Sequence, residues 1–326
     1  MVRSLRRLLG LSALSGISAA AARRPVTLIT FDVDGTLVAG TKASDASAHA
    51  RAFAHAVGAT FAADGQPTPL PAELLPTTKY HGSTDGLIAL NMARAACAVE
   101  PADAAPKLPE CWRKMYEYFA ARSDAEATEG LEVLPGVLTT LRALAAHRDA
   151  GDIVCGLVTG NVEGIARKKM RAVGVTETGA LSPPADDQRW EGENEHTFLG
   201  GFGSDYCSND LDDPRRNYLD RGEQLVIAAN RCRALLAAAA DDRYLARVVH
   251  VGDAPSDVLA AKHCADAGRL GEGVVVGVVG VATGSYGADL LTELAEAPRP
   301  GVWEPHVLER GLADEAGFLA ACGVRA

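Results

Sequence analysis

Lysine and long apolar runs are sparse in this sequence, and its cysteines follow no recognisable pattern. Its seven cysteines are odd in number and scattered, and none belongs to a C-x-x-C pair. This pattern favours a reducing compartment and argues against a structural zinc site. Beyond the amino-terminal region no stretch reaches the roughly eighteen apolar residues of a membrane span, and no internal repeat occurs.

An excess of basic residues is also missing. The 42 acidic residues outnumber the 32 basic ones, which gives a net charge of −10 without a long acidic tail. This balance disfavours sequence-independent binding to nucleic acid. With 326 residues, 48% of them apolar, the chain is long enough for a sizeable core and an inserted unit. We therefore expect a globular protein whose partners are neither nucleic acids nor membranes, and its oligomeric state stays open.

Acidic residues are absent from the first 31 positions. This segment is rich in Ser, Ala and Leu and carries five arginines, Arg3, Arg6, Arg7, Arg23 and Arg24. Such a composition is typical of an organellar transit peptide. We interpret residues 1–25 as a transit peptide for import into a mitochondrion or plastid. A secretory signal and a cytoplasmic location are the alternatives.

The rest of the chain shows two kinds of hydrophobic pattern. After an apolar strand that begins at Val26, residues of about 41–130 predict helices with polar joints and no strand. From Leu134 onward, strands and helices alternate, which is the pattern of a parallel sheet covered on both faces. We predict a three-layer α/β fold with a Rossmann-like parallel sheet. Its parts are a core from 26–40 and 131–326, an inserted α-helical domain over 41–130, and a polar surface loop within the core over 182–221.

Acidic residues stand where two of the predicted strands end. Asp32 and Asp34 follow the first strand, and Gly35 lets the chain turn sharply there. Two carboxylates so placed can bind a hard cation and divide the work of nucleophile and acid/base. A second pair, Asp253 and Asp257, follows a later predicted strand in similar positions.

A polar turn follows the predicted strand over 153–158. It consists of Thr159, Gly160 and Asn161, and it leads into a helix. Its hydroxyl and backbone N–H groups suit an anion such as phosphate, although the same residues also make an ordinary helix entry.

Only seven lysines occur in the chain, yet Lys168 and Lys169 are adjacent. Lys169 falls on the apolar face of the helix after Thr159, seven residues beyond Val162. An inward ammonium is costly without a negative partner, so we expect Lys169 to face an anion; a snorkelling lysine at the helix edge is the alternative. Lys168 is predicted to point into solvent.

Taken in order, these segments resemble the four motifs of the haloacid dehalogenase superfamily. They are FDVDGTL at 31–37, VTG at 158–160, a lysine at 169 and VGDAPSD at 251–257. The resemblance covers the chain from Val26 to about Leu294. HGSTD at 81–85 and GVATGSYGADLL at 280–291 are similar to segments of phosphoglycolate-phosphatase-like members. The resemblance implies that the helical insertion is a cap that acts as a lid over the core.

The resemblance also implies roles for individual residues. Asp32 would be the nucleophile that forms an aspartyl phosphate, and Asp34 would be the acid/base. Thr159 and Lys169 would hold the phosphoryl oxygens. The implied Mg²⁺ site consists of the Asp32 carboxylate, the Asp34 backbone carbonyl and Asp253, with Asp257 orienting a bound water or Lys169.

Substrate contacts are implied in both parts of the chain. Gly160 and Asn161 would supply them from the core, and His81 and Thr84 from the cap. Many relatives carry the third-motif lysine in a K-P-x-P stretch shortly before the last motif, where this chain has no lysine. Either Lys169 or Arg221 would take its place, and the helical phase favours Lys169.

The acid at position 34 separates the reactions of the superfamily, because true dehalogenases lack it and transport ATPases carry threonine there. The implied function is a Mg²⁺-dependent phosphatase acting on a small phosphorylated metabolite, with phosphoglycolate as a candidate substrate. A phosphomutase of the β-phosphoglucomutase type is the alternative. A non-catalytic binding protein that keeps the fold is a third hypothesis.

Overall fold

The computed structural model of the chain describes residues 23–40, 47–63, 69–70, 82–183, 198–239, 242–296 and 302–324. The strands in these residues are β1 (Arg24–Phe31), β2 (Val38–Gly40), β3 (Leu131–Val133), β4 (Ile153–Thr159), β5 (Gly200–Phe202), β6 (Arg243–Gly252), β7 (Val275–Val281) and β8 (Trp303–Leu308). The α-helices are α1 (Ala48–Phe61), α2 (Asp85–Cys97), α3 (Pro101–Ala104), α4 (Leu108–Ala120), α5 (Asp124–Ala127), α6 (Val137–Ala150), α7 (Glu163–Ala172), α8 (Tyr218–Ala238), α9 (Pro255–Asp266), α10 (Ala288–Ala295) and α11 (Glu315–Ala321).

Six parallel strands form the central sheet, in the spatial order β5-β4-β1-β6-β7-β8. Helices cover both faces, so the predicted three-layer α/β fold is confirmed. β1 lies between β4 and β6, with Phe31 level with Leu157 on one side and Val251 on the other. The residues that follow these three strands therefore meet at one edge of the sheet, where parallel α/β proteins bind their ligands.

Alternation along β1 sends neighbouring side chains into two separate cores. Phe31 packs with Leu141 of α6 and Phe318 of α11 on one face of the sheet. Leu28 packs with Leu225 of α8 on the other face. Each such buried side chain stabilises the fold by roughly 1.5–3 kcal/mol. The sheet edge is thus held rigidly from both sides.

Helices α1, α2 and α4 share a third core, in which Phe53, Leu90 and Met115 are buried. These helices were predicted from their apolar spacing and are confirmed. The segment that contains them begins and ends at the antiparallel pair β2–β3, where Val38 lies opposite Val133. That this segment is a separate cap domain stays a prediction. Among the described helices, none is both long and apolar enough to cross a membrane.

Two predicted boundaries were wrong. β1 begins at Arg24 rather than at Val26, because the extra residues pair with β6; residues 1–22 lie outside the described part of the chain. Residues 184–197 of the predicted loop over 182–221 lie outside the described part of the chain, and the described remainder contains the buried edge strand β5 and the start of α8. The Gly-Gly-Phe sequence of β5 carries little strand propensity of its own, and its pairing with β4 makes it a strand.

Gly201 tests the packing of β5 against α8. A Cβ atom at this position would overlap the backbone carbonyl of Gln224 in α8. We expect Gly201→Ala to lower the free energy of unfolding by about 1–3 kcal/mol, since the backbone must shift to make room. Gly287→Ala is the control, because a Cβ there meets no atom within 4 Å. Urea unfolding measures both variants, and equal stabilities would contradict this packing.

Candidate active site

The predicted polar residues meet around one cleft at the carboxyl ends of β1, β4 and β6. The cleft has a volume of about 750 Å³. Helices α1 and α2 form its opposite wall. The lining includes Asp32, Asp34, His49, Phe53, Ser83, Asp85, Gly160, Asn161, Arg221 and Asp253.

The turn after β1 gives the acidic residues room to approach one another. Gly35 has a φ angle of +94°, which favours glycine, and a Cβ atom there would overlap the Asp253 carboxylate. A Cβ at Gly284 would overlap the same carboxylate. Thr36 donates a hydrogen bond from Oγ1 to Asp253 Oδ1 over 3.1 Å. Glycine at positions 35 and 284 therefore allows Asp253 to lie against the loop that carries Asp32.

Three of the carboxylates form a cluster suited to a hard cation. Ligand atoms of Asp32, Asp253 and Asp257 lie within 4.8 Å of one another, and all three residues are buried. Burial, together with the charges of Asp32 and Asp257, raises the pKa of Asp253 to about 8. The three carboxylates offer oxygen ligands, which Mg²⁺ prefers, and a bound cation would offset the repulsion between them. This cluster contains three of the predicted metal ligands; the fourth, Asp34, was predicted to contribute its backbone carbonyl.

Arg221 is the cation nearest to Asp32. From α8, its Nη1 donates to Asp32 Oδ1 over 2.9 Å and to the carbonyl of Val158 over 3.1 Å, and its Nε lies 3.3 Å from Asp257 Oδ1. Burial raises the pKa of Asp32 to about 6 even though Arg221 opposes the shift. For Asp257, burial also opposes ionisation, but Arg221 and then His250 hold its pKa below the usual value. One guanidinium thus pairs with two carboxylates of the cluster.

Lys169 lies on Asp34, not on Asp32. Its Nζ donates to Asp34 Oδ1 and Oδ2, both at 2.9 Å, and to Asn161 Oδ1 at 2.7 Å. Asn161 Nδ2 in turn donates to Asp34 Oδ2 over 2.8 Å. Although 45% of the Asp34 side chain is exposed, partial loss of hydration disfavours its charge. The Lys169 ammonium outweighs this effect and lowers the pKa of Asp34 to about 2. The inward orientation predicted for Lys169 is confirmed, whereas the solvent-facing prediction for Lys168 was wrong: Lys168 is buried and donates to the carbonyls of Ala120 and Arg122.

Two histidines belong to this network that the sequence patterns did not single out. His49 of α1 lies with its Nδ1 3.2 Å from Lys169 Nζ and its Nε2 2.9 Å from Asp85 Oδ2. His250 of β6 lies beneath the acidic cluster, with Nε2 3.2 Å from Asp257 Oδ1. A histidine within a helical or strand pattern looks like any other core residue, so only the fold identifies these contacts.

Four predicted site residues remain: Gly160, Thr159, Thr84 and His81. Gly160 lines the cleft so close to the backbone of Ser83 that a Cβ would overlap it. Thr159 and Thr84 are fully buried: the hydroxyl of Thr159 accepts from Asn161 N, and that of Thr84 caps α2 by accepting from Leu87 N.

Thr84 does not line the cleft, although the adjacent Ser83 and Asp85 do. The predicted substrate contact of His81 lies outside the described residues. None of Thr159, Lys169 and Asp257 lines the cleft directly, but each contacts a residue that does: Asn161 for Thr159, Asp34 for Lys169 and Arg221 for Asp257.

Comparison with known proteins identifies one matching family model and several similar solved structures. A family model for haloacid dehalogenase-like hydrolases matches residues 26–264, well over half of the chain. No curated protein matches. Among solved structures, CbbY from Rhodobacter sphaeroides in complex with phosphate is 15% identical, covering 90% of this chain and 98% of its own, with a TM-score of 0.39. A β-phosphoglucomutase from the archaeon Pyrococcus sp. strain ST 04 is 14% identical, covering 82% of this chain and 98% of its own, with a TM-score of 0.34.

The acidic cluster predicts an unusual dependence of stability on pH in the metal-free protein. The pKa of Asp253 is about 8 in the folded chain and near its ordinary value of 3.8 when unfolded. Protonation of Asp253 therefore contributes its full stabilisation of the folded state below pH 4, and this contribution is lost as the pH rises toward 8. Protonation of Asp32 contributes in the same direction, and its contribution is lost as the pH rises through about 6. We expect the melting temperature of the metal-free protein to fall between pH 5 and pH 8, and Mg²⁺ to raise it more at pH 8 than at pH 5.

Asp253→Asn isolates this effect, because the amide cannot ionise. At pH 8 it should stabilise the metal-free protein by on the order of 2 kcal/mol and remove the Mg²⁺-induced rise. Asp266→Asn, at an exposed position near the end of α9, is the control. Thermal melts with Mg²⁺ or EDTA measure both. A rise with Mg²⁺ that is the same in Asp253→Asn as in the parent would exclude a cation at the cluster.

Proposed function

The chain belongs to the haloacid dehalogenase-like hydrolase family, and we propose that within this family it is a phosphatase that hydrolyses a small phosphomonoester. The observation that carries the proposal is the division of labour between two carboxylates in one cleft. Asp32 lies in the acidic cluster and is paired with Arg221, while Asp34 is paired with Lys169. Neighbouring carboxyls in such different surroundings are suited to different steps of one reaction.

The reaction has two steps in this proposal. In the first, an Asp32 oxygen attacks phosphorus, and the bond to the leaving oxygen breaks as that oxygen takes a proton from Asp34. In the second, Asp34 takes a proton from water, the water oxygen bonds to phosphorus, and the bond to Asp32 breaks. Because its pKa is lowered, Asp34 is ionised and can act as the base of the second step. For the first step it must acquire a proton.

The acidic cluster would hold Mg²⁺ through Asp32, Asp253 and, through water, Asp257. When bound, the ion would offset the repulsion between the nucleophile and the incoming phosphate. The chain's own donors point to the same place. Arg221 and Asn161 offer N–H groups on the cleft wall, which can donate hydrogen bonds to phosphoryl oxygens in place of their present partners.

The third-motif role goes to Arg221 in our proposal rather than to Lys169, which the helical phase had favoured. Arg221 contacts the nucleophile Asp32, whereas Lys169 contacts the acid/base Asp34. A guanidinium also offers two N–H groups at fixed spacing to a phosphoryl group. Lys169 would instead hold Asp34 in place between the two steps.

The finer predictions from sequence remain proposals. Phosphoglycolate is a candidate substrate, we expect no nucleic-acid or membrane partner, and we propose that residues 1–25 direct import into a mitochondrion or plastid. A phosphomutase differs from a phosphatase only in the fate of the phosphoryl group on Asp32. The assay for the proposed function therefore has to follow that fate.

Phosphate release is the direct test. We expect the protein lacking residues 1–22 to release inorganic phosphate in Mg²⁺ from at least one member of a panel of phosphorylated acids, sugars and nucleotides. Asp32→Asn should reduce this by at least about 10³-fold, because the amide cannot attack phosphorus. If turnover requires a bisphosphate activator and transfers the phosphoryl group within the substrate without releasing inorganic phosphate, the mutase is favoured. Equal phosphate release by parent and Asp32→Asn would exclude the proposed reaction.

Arg221 gives a second test. Arg221→Met should lower kcat by about 10²- to 10³-fold, since it removes a positive charge from the site of phosphoryl transfer. Arg221→Lys should lose less than Arg221→Met but remain below the parent, because an ammonium lacks the paired N–H groups. Arg231→Met is the matched control, since it breaks the ion pair between Arg231, also on α8, and Asp205, which does not line the cleft. If Arg221→Met retains the kcat of the control, Arg221 has no part in the transfer.

A further inference from the structure

The contacts of Asp34 extend beyond the core into the helical segment over 41–130. Lys169 Nζ, which donates to Asp34, also lies 3.2 Å from His49 Nδ1 in α1. His49 Nε2 lies 2.9 Å from Asp85 Oδ2 in α2. His49 is partly buried, with 14% of its side chain exposed, and it lines the cleft. Helix α1 therefore contacts Lys169, the partner of Asp34, directly, and α2 is linked to Lys169 through His49.

The donor and acceptor roles in this chain are set by chemistry. A lysine ammonium has three N–H donors and no acceptor, so His49 Nδ1 must accept the contact from Lys169. The remaining proton of His49 is then on Nε2, from which it is donated to the Asp85 carboxylate. A neutral histidine of this single tautomer satisfies both contacts.

Asp85 closes the chain of contacts into a ring. Its Oδ2 also accepts a hydrogen bond from the backbone N–H of Val162 over 2.8 Å. Val162 is the residue directly before α7, the helix that carries Lys169. The path from Asp85 through His49 to Lys169 thus returns to Asp85 along α7. Asp85 is 3% exposed, so these contacts meet little competition from water.

The ring restrains a side chain that would otherwise have several rotamers. Lysine has four rotatable side-chain bonds, and fixing them costs conformational entropy. Asp34 alone is a weak anchor, because 45% of its side chain is exposed. His49 Nδ1 and Asn161 Oδ1 are further acceptors within hydrogen-bond distance of the ammonium, and they restrain its position.

We propose that His49 and Asp85 are positioning residues that hold the Lys169 ammonium on Asp34. Through these two residues, helices α1 and α2 determine where the lysine lies relative to the acid/base carboxylate. This inference rests on the proposed function only in assigning the acid/base role to Asp34. His49 acts through Lys169 and not by contact with the reacting phosphoryl group. The same arrangement makes the position of α1 and α2 a determinant of where the ammonium lies.

A double-mutant cycle tests whether His49 acts through Lys169. We expect His49→Leu to lower kcat by about 10- to 100-fold while KM changes less than about 3-fold. In the Lys169→Met background, adding His49→Leu should cost less than about 2-fold more, because the ammonium it positions is gone. If the two losses multiply, His49 acts independently and the proposal is overturned. A large rise in KM with little change in kcat would overturn it as well, since that indicates substrate binding.

Conservative variants separate positioning from a packing role. His49→Gln offers both an acceptor and a donor and should retain more of kcat than His49→Leu. Asp85→Asn keeps the acceptor oxygen but loses the charge, and it should fall between the parent and His49→Leu. If His49→Gln and His49→Leu lose kcat equally and melt at equally reduced temperatures, the histidine serves packing alone.

A measurement without turnover separates this proposal from the proposed function. Long-range ¹H–¹⁵N spectra of the labelled protein report the tautomer of each histidine, and His49→Gln identifies the His49 resonances. We expect a proton on Nε2, a bare Nδ1, and a shift of the Nδ1 resonance in Lys169→Met. A proton on Nδ1, or no shift in Lys169→Met, would overturn the positioning role. If no phosphomonoester is hydrolysed, the proposed function fails and this measurement still decides whether His49 holds Lys169.

Discussion

Crowding of negative charge is the constraint on which the rest of this structure depends. Four carboxylates meet at the end of the central strands, those of Asp32, Asp34, Asp253 and Asp257. Two like charges about 4 Å apart near a protein surface repel by roughly 4 kcal/mol. Arg221 and Lys169 offset part of this repulsion, each from a different helix. The unbalanced remainder is concentrated at Asp253, where a cation would be bound most favourably.

The backbone makes this crowding geometrically possible. β1 lies between β4 and β6, so the turns that follow all three strands share one edge of the sheet. Glycine is needed where carboxylates approach the main chain, as at Gly252, where a Cβ would overlap Asp257, and at Gly35 and Gly284 beside Asp253. The apolar cores on both faces of the sheet resist the repulsion, because relaxing it would require moving packed strands. Rigid packing therefore keeps a charged site that is unfavourable in isolation.

The two cations differ in what holds them. Arg221 is fixed within the core, where its Nη1 is also bonded to the carbonyl of Val158 in β4. Lys169 is held in part by His49 of α1, which belongs to the inserted helical segment. The core thus fixes the position of Arg221, the partner of the nucleophile. The position of Lys169, the partner of the acid/base residue, is fixed jointly by the core and the inserted helical segment. A lid that moved with α1 would change the surroundings of Asp34 and leave those of Asp32 unchanged.

Local sequence patterns were enough to predict where the central strands end and which kind of residue follows each one. Acidic pairs after apolar runs, a Thr-Gly-Asn turn and an inward helical phase for Lys169 all depend on neighbours close in the chain, and local periodicity reports such features. Short edge strands such as β5 and the start of α8 were not predictable, because pairing and packing create them. The pairing of each cation with a particular carboxylate follows from the folded arrangement of the chain. Arg221 is 189 residues from Asp32 and Lys169 is 135 residues from Asp34, and charge pairing depends on distance in space, which local sequence patterns do not encode.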